Sequence, residues 1–234
     1  MAECSALSRR GRAVREGLPT PYCSPDLLSD EVDKALILLG LDWIDVFSLH
    51  RDDPAVPVES FADALLAQVA AGKISSFGVS NWTLSRFREL TDYLARIGEN
   101  HLVAFSNHFS LGEMVSPTWP GCLAVTKEEL WGLADAGLQV LAWASLAMGY
   151  FAGRQAPSWD SAENQARRRR AIELAERLGT TANAVALSYV LHQPRNVHAV
   201  IGTRSETHLA EALAAGEIEL TPEQLAWLET GASS

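Results

Sequence analysis

From residue 25 onward the chain alternates between two hydrophobic rhythms. Leu27, Leu28, Val32, Ala35, Leu36 and Leu39 recur at helical spacing, with Ser24 placed to cap, Pro25 suited to the first helical position and Gly40 placed to stop the helix. A mostly aromatic and aliphatic run over 43–49 follows and reads as a buried strand. The alternation then repeats. Pro57 opens a helix with Phe61, Ala64, Leu65, Gln68 and Val69 on its inner face, and Gly72 closes it. Residues 74–79 form a strand, 84–97 a helix striped by Phe87, Leu90, Leu94 and Ile97, and 102–105 a third strand. Thr126 and Glu129 make a capping box that starts a helix to Ala136, and 139–143 is the fourth strand. Helices follow over 164–178 and 184–192, the second stopped by Pro194. A fifth strand over 197–201 leads to a helix over 206–215 capped by Ser205, and Thr221 and Pro222 start a last helix to Glu229.

Five strands, each followed by a helix, imply a parallel α/β sheet. The count alone allows an open doubly wound sheet as well as a barrel. No Gly-x-Gly-x-x-Gly follows any strand, so the dinucleotide signature of the open fold is missing, and Ala71, Gly72 and Lys73 lack the earlier glycine of a phosphate loop.

Two stretches fall outside the alternation, and one helix within it has an unusual charge run. Residues 1–24 have no period; Arg9, Arg10, Arg12 and Arg15 with Pro19 and Pro21 read as an irregular tail, which puts a domain boundary at residue 25. The loop over 110–125 is long, and Trp119 within it argues for packing. The helix over 164–178 carries four adjacent arginines, Arg167 to Arg170, which point in different directions and read as a solvated face.

Composition narrows the function classes. At 234 residues with 47% hydrophobic and 21% charged residues, the chain is long enough for one domain with a real core. A net charge of −10 argues against nucleic acid as a partner. No apolar run is long enough to span a membrane, and the first ten residues lack the apolar stretch of a secretory signal. Cys4, Cys23 and Cys122 show neither disulfide nor metal-ligand spacing. A cytoplasmic protein is the expectation.

The order of seven blocks carries a resemblance. Leu39-Gly-Leu-Asp-Trp-Ile-Asp45 precedes Leu49-His-Arg-Asp-Asp53; then come Ala71-Gly-Lys-Ile74 and Gly78-Val-Ser-Asn-Trp82. Ala142-Trp-Ala-Ser-Leu-Ala-Met-Gly-Tyr-Phe151, Val200-Ile-Gly-Thr-Arg-Ser205 and Ile218-Glu-Leu-Thr-Pro-Glu-Gln-Leu225 continue it. This pattern resembles the aldo-keto reductase family, whose members are (β/α)8 barrels that reduce carbonyls with NADPH or NADH. The resemblance implies an incomplete TIM (β/α)8 barrel over 25–234, retaining about five parallel strands, the family's strands four to eight, with outer helices. It implies an N-terminally truncated member with two open barrel edges through which copies could self-associate.

The same resemblance implies a site. Family members reduce an aldehyde or ketone with a tetrad of Asp, Tyr, Lys and His; only the histidine has a match, His50, at the end of the 43–49 strand where such barrels place their chemistry. Read from position alone, His50 could equally just end a strand. Tyr22 and Lys34 lie nearby in sequence without motif context. Ser80 and Asn81 match the pair that hydrogen-bonds the nicotinamide carboxamide, although they could instead cap the next helix. Ser106 stands where many members carry a glutamine for the same amide. Trp143 matches the aromatic that stacks on the nicotinamide, with a core tryptophan as the rival reading. Ser145 and Leu146 would line the pyrophosphate. Gly202, Thr203 and Arg204 match the region that grips the adenosine 2′-phosphate, and Glu211 keeps the family glutamate, while His208 and Ala212 depart from the usual arginine and asparagine. NADP is therefore the expected cofactor, with NAD as the other candidate. The expected activity is NAD(P)H-dependent reduction of a small-molecule carbonyl, impaired by the missing Asp, Tyr and Lys. The alternative is a non-catalytic nucleotide-binding or interaction remnant.

Overall fold

The structure is a computed structural model describing residues 2–3, 24–194 and 196–232. Contacts divide it into two compact units, Met1–Ser106 and Asn107–Ser234.

The first unit contains strands β1 (Ala2–Glu3), β2 (Ile44–Leu49), β3 (Ile74–Ser80) and β4 (Leu102–Ser106), and helices α1 (Pro25–Leu39), α2 (Val58–Ala70) and α3 (Leu84–Ile97). Each strand pairs in parallel with the next. β1 departs from the expected irregular tail: Ala2 and Glu3 pair with Phe47 and Ser48 of β2. The rest of that expected tail, with its four arginines, Cys4, Cys23 and Tyr22, lies outside the described residues.

The helices end as their sequence dictates. Gly40 and Gly98 follow α1 and α3 at φ 66° and 78°, a left-handed conformation that L side chains resist. Ser24 has extended cap geometry but makes no side-chain cap bond, whereas Thr83 accepts from the Arg86 amide. Phe47, Leu49, Phe77, Val79 and Phe105 are fully buried. Phe87 of α3 meets Phe105 edge-on at 5.0 Å, and Phe61 of α2 meets Trp82 edge-on at 5.6 Å.

The other face of the same strands is made of small residues. Register aligns Ser48, Gly78 and Ala104 in one row and Ser80 with Ser106 in the next. Gly78 is required by that closeness. A Cβ there would lie 2.8 Å from Ser48 Oγ, 2.9 Å from Ala104 Cβ and 3.0 Å from the Ala104 carbonyl oxygen. The hydroxyl could rotate away, but the Ala104 backbone could not.

The second unit contains β5 (Gln139–Ala142) and β6 (Val197–Ala199), paired in parallel, and helices α4 (Lys127–Asp135), α5 (Ala162–Leu178), α6 (Ala182–Leu191), α7 (Glu206–Ala214) and α8 (Pro222–Thr230). The expected capping box of Thr126 with Glu129 is present on α4, and α8 has a second, Thr221 with Gln224. α5 starts two residues earlier than the apolar spacing predicts, because Ser161 caps it by accepting from Asn164 N–H. Asn164 is fully buried and holds the Glu113 backbone from both sides, accepting from its N–H at 2.9 Å and donating to its carbonyl at 2.7 Å.

Two expectations are corrected here. Arg167 and Arg170 are not a solvated face. Arg170 donates to the carbonyls of Leu228 and Glu229 at 2.9–3.0 Å, and Arg167 donates to the Glu229 carbonyl at 3.3 Å. The last carbonyls of α8 have no partner within their own helix, and guanidinium groups satisfy them while complementing the helix dipole. Trp119 packs only in part: it is 52% exposed, on a tight turn in which the Cys122 amide bonds the Trp119 carbonyl and Gly121 takes φ 76°.

Substituting Gly78→Ala is expected to destabilise the protein by about 1–3 kcal/mol through overpacking. A urea melt reads this; an unchanged midpoint would show that the row has slack.

Candidate active site

In the first unit, three strand ends converge on one residue, Asn81. Asn81 follows β3 in the left-handed region, at φ 57°, and is buried. Its Nδ2 donates to the His50 carbonyl at 3.3 Å and to Ser80 Oγ at 2.9 Å. Its backbone N–H donates to the Ser106 carbonyl at 3.0 Å. His50 at the end of β2, Ser80 and Asn81 at the end of β3, and Ser106 at the end of β4 are thereby brought together. Ser80 Oγ accepts from Asn81, so its own proton remains for an acceptor. Asparagine tolerates the left-handed conformation better than most residues, which accounts for its presence at this turn.

The segment after His50 is held by an element the sequence reading did not single out. Arg86 of α3 makes a two-pronged bond to Asp52, Nε to Oδ2 at 2.9 Å and Nη2 to Oδ1 at 3.1 Å, and Nη2 also donates to the Val56 carbonyl at 2.8 Å. Its guanidinium lies 5.4 Å from the Trp82 ring centre. Asp53 closes a turn within the same segment, accepting from the Ala55 amide at 3.1 Å. No local signal marks Arg86, because its partner lies 34 residues away.

In the second unit, Trp143 follows β5. Its carbonyl accepts from His108 Nδ1 at 3.0 Å, and Trp159 Nε1 donates to His108 Nε2 at 3.2 Å. The imidazole is therefore neutral, with its proton on Nδ1. Burial is the main cause that lowers its pKa to about 4, against the bonds to the backbone at Trp143 and Gly112, which raise it. The Trp143 indole is half-buried, its ring centre 5.2 Å from that of His108, and its Nε1–H has no hydrogen-bond partner among the described residues. Directly after it, Ala144, Ala147 and Met148 take φ of 48°, 47° and 55°. Backbone held in this region costs of order 1–3 kcal/mol per residue and clusters at functional sites.

The remaining predicted residues lie in this unit. Ser145 is fully buried and donates to the Val200 carbonyl at 2.9 Å. Leu146 packs on the cluster of Ala184, Leu187 and Ala215. Gly202, Thr203 and Arg204 are exposed, and Thr203 Oγ1 accepts from the Ser205 amide at 3.1 Å. Ser205 caps α7, accepting from the His208 amide at 3.3 Å. Glu211 accepts from the Thr181 hydroxyl. A cavity of about 480 Å3 in this unit is bordered by Phe109, Tyr189, Lys127, Arg167 and Glu229; none of the predicted site residues lines it. Among the described residues no group of three or more His, Cys, Asp or Glu could hold a metal, and no helix is long and apolar enough to cross a membrane.

Comparison with known proteins gives the class. The chain is similar to the crystal structure of the thermostable aldo-keto reductase Tm1743 in complex with the inhibitor epalrestat, with a TM-score of 0.70 at 23% identity, over 89% of this chain and 67% of that one. That likeness shows the fold, that of the aldo-keto reductase barrels. The sequence pattern of the Aldo/keto reductase family matches residues 17–230, so the chain belongs to this family of oxidoreductases. It is 27% identical to versiconal hemiacetal acetate reductase of Aspergillus parasiticus, over 86% of this chain and 60% of that protein. It is 26% identical to 6-dehydroglucose reductase of Agrobacterium fabrum, over 98% of this chain and 70% of that protein. The chain thus spans about 60 to 70% of the length of these two relatives.

His108 has a stability consequence. Its folded pKa lies below the unfolded value of 6.5, so the unfolded chain binds more protons between the two. Its contribution is fully present above pH 6.5 and is lost as pH falls toward 4, by about 3 kcal/mol. Urea unfolding at pH 7 and pH 4 should therefore show a smaller loss in His108→Gln than in the wild type. Equal losses would mean that this imidazole is not held neutral.

Proposed function

We propose that the chain binds NAD(P)H as an aldo-keto reductase does, and that its residues by themselves support little carbonyl reduction. The observation that carries the binding half is the buried Ser80–Asn81 pair: a hydroxyl with a proton to give, beside an amide fixed in place. A primary carboxamide offers a carbonyl to accept that proton, and the pair fits it. The bound dinucleotide would supply a hydride; the protein's part is to orient the ring and the carbonyl substrate. In the first unit Ser80, Asn81 and Ser106 hold the amide, and His50 orients the substrate oxygen. In the second unit Trp143 offers a ring face, and its strained following turn with Ser145 and Leu146 shapes the backbone there. Gly202, Thr203 and Arg204, before the start of α7, are assigned to the adenosine phosphate. Glu206 in the first turn of α7 opposes an anion there, in keeping with NAD as the second candidate beside NADP.

The catalytic half rests on the tyrosines and lysines. A phenol that donates a proton near neutral pH needs a lowered pKa, typically from a neighbouring cation. All three described tyrosines go the other way. Tyr93 is raised by its bond to Asp63, Tyr150 by burial, and Tyr189 by burial and then Glu229. Lys34 is ion-paired with Glu31 on the surface, and Lys127 with Glu229. This favours the second reading as well, a nucleotide-binding module without turnover. Self-association is part of the proposal: Ile37, Leu38, Leu39, Leu41 and Trp43 are all more than half exposed around the end of α1.

NADPH titration followed by tryptophan fluorescence is expected to show saturable quenching, weakened several-fold in Ser80→Ala. Turnover on a panel of aldehydes is expected to fall at least 10²-fold short of an enzyme with a working general acid. Saturable binding with robust turnover would refute the catalytic half, and no binding would refute the whole reading.

A further inference from the structure

We propose that Arg86 is a positioning residue for His50: from helix α3 it clamps the segment that leaves β2, and so fixes where the imidazole stands. The proposal rests on the assignment of His50 in the preceding reading, and goes beyond it by naming what holds that residue.

The backbone that leaves β2 at His50 stays irregular up to α2. Upstream, the His50 carbonyl accepts from Asn81. Downstream, no regular element begins until Val58, the first residue of α2. Within that span Asp53 closes a local turn, and Asp52 and Val56 both bind the same guanidinium from α3. Asp52 is only two residues from His50, so freedom at its Cα passes directly to the imidazole.

The clamp itself is built to be rigid. The side chains of Arg86 and Asp52 are only 15% and 8% exposed, so water competes little for the pair. A planar fork matched to both carboxylate oxygens fixes direction as well as distance. One face of the fork lies over Trp82, itself fully buried and packed on Phe61. Arg86 is placed by its own helix cap, since its backbone N–H is the one that Thr83 accepts. Lysine could keep the charge at this position, but a single ammonium cannot meet both oxygens of Asp52 and the Val56 carbonyl in this planar geometry. A surface ion pair would have no such effect; exposed pairs are mobile and weak.

The test compares Arg86→Lys and Arg86→Met with Arg88→Ala, an exposed arginine on the same helix, in the full chain. Two readouts are taken: amide hydrogen exchange over 51–56 and the 15N chemical shifts of the His50 ring. The expected result is exchange at least tenfold faster in both Arg86 variants, with shifted His50 ring signals, and neither change in Arg88→Ala. Asp52→Asn should show the same pattern in weaker form. Unchanged exchange overturns the clamp. Faster exchange with unmoved ring signals also overturns it, because Arg86 would then hold the loop and not the histidine. Neither readout depends on turnover or on NADPH, so a failure of the cofactor reading leaves this result standing, and the reverse.

Discussion

The first unit depends on one residue, Asn81. Parallel strands leave their C-terminal ends with backbone groups that the sheet no longer pairs, and those ends are where a barrel of this family exposes its chemistry. Asn81 resolves this for three strands together. It donates from its side chain to the end of β2 and from its backbone to the end of β4, while itself continuing β3. To do so it must turn into the left-handed region. The bonds and the strained backbone come as a set: the surrounding structure holds the conformation, and the conformation aims the bonds. Beneath it, Gly78 lets Ser48 and Ala104 approach closely, so the row under Ser80 and Ser106 has no bulky side chain.

The second unit is organised by buried and half-buried polar groups that are satisfied at long range. His108 is locked between the Trp143 carbonyl and the Trp159 indole. Asn164 fastens the loop at Glu113 to the start of α5. Arg167 and Arg170 fasten α5 to the end of α8. Each of these groups would be costly to bury unpaired, so each specifies a partner as well as tolerating one. The result is a fixed backbone at Trp143, followed by a turn with three residues at positive φ.

Local rules in the sequence predicted the elements well. The Thr126–Glu129 box, the Gly40 stop and the apolar stripe of Phe87, Leu90 and Leu94 all act within a few residues, so pattern alone reveals them. Long-range pairing was not legible. Nothing near Arg86 announces Asp52, and nothing near Arg170 announces the carbonyls of α8. Four consecutive arginines look like a solvated face because the helix wheel says where they point and not what stands there. β1 escaped for a different reason: two residues are too few to show a period, and their pairing with Phe47 and Ser48 is a tertiary fact. Of the candidate site, the residue identities came from resemblance, while the tie that joins His50, Ser80, Asn81 and Ser106 came only from the structure.

The central claim is that this tie is a receptor for a nicotinamide amide. Its most direct test is protein-observed NMR of the Asn81 side-chain NH2 and the backbone amides beside Ser80 and Ser106 during addition of NADPH. The account predicts saturable shifts of these signals at the same NADPH concentrations, reproduced by nicotinamide mononucleotide at higher concentration. Signals that stay fixed while NADPH saturates the protein elsewhere would contradict it.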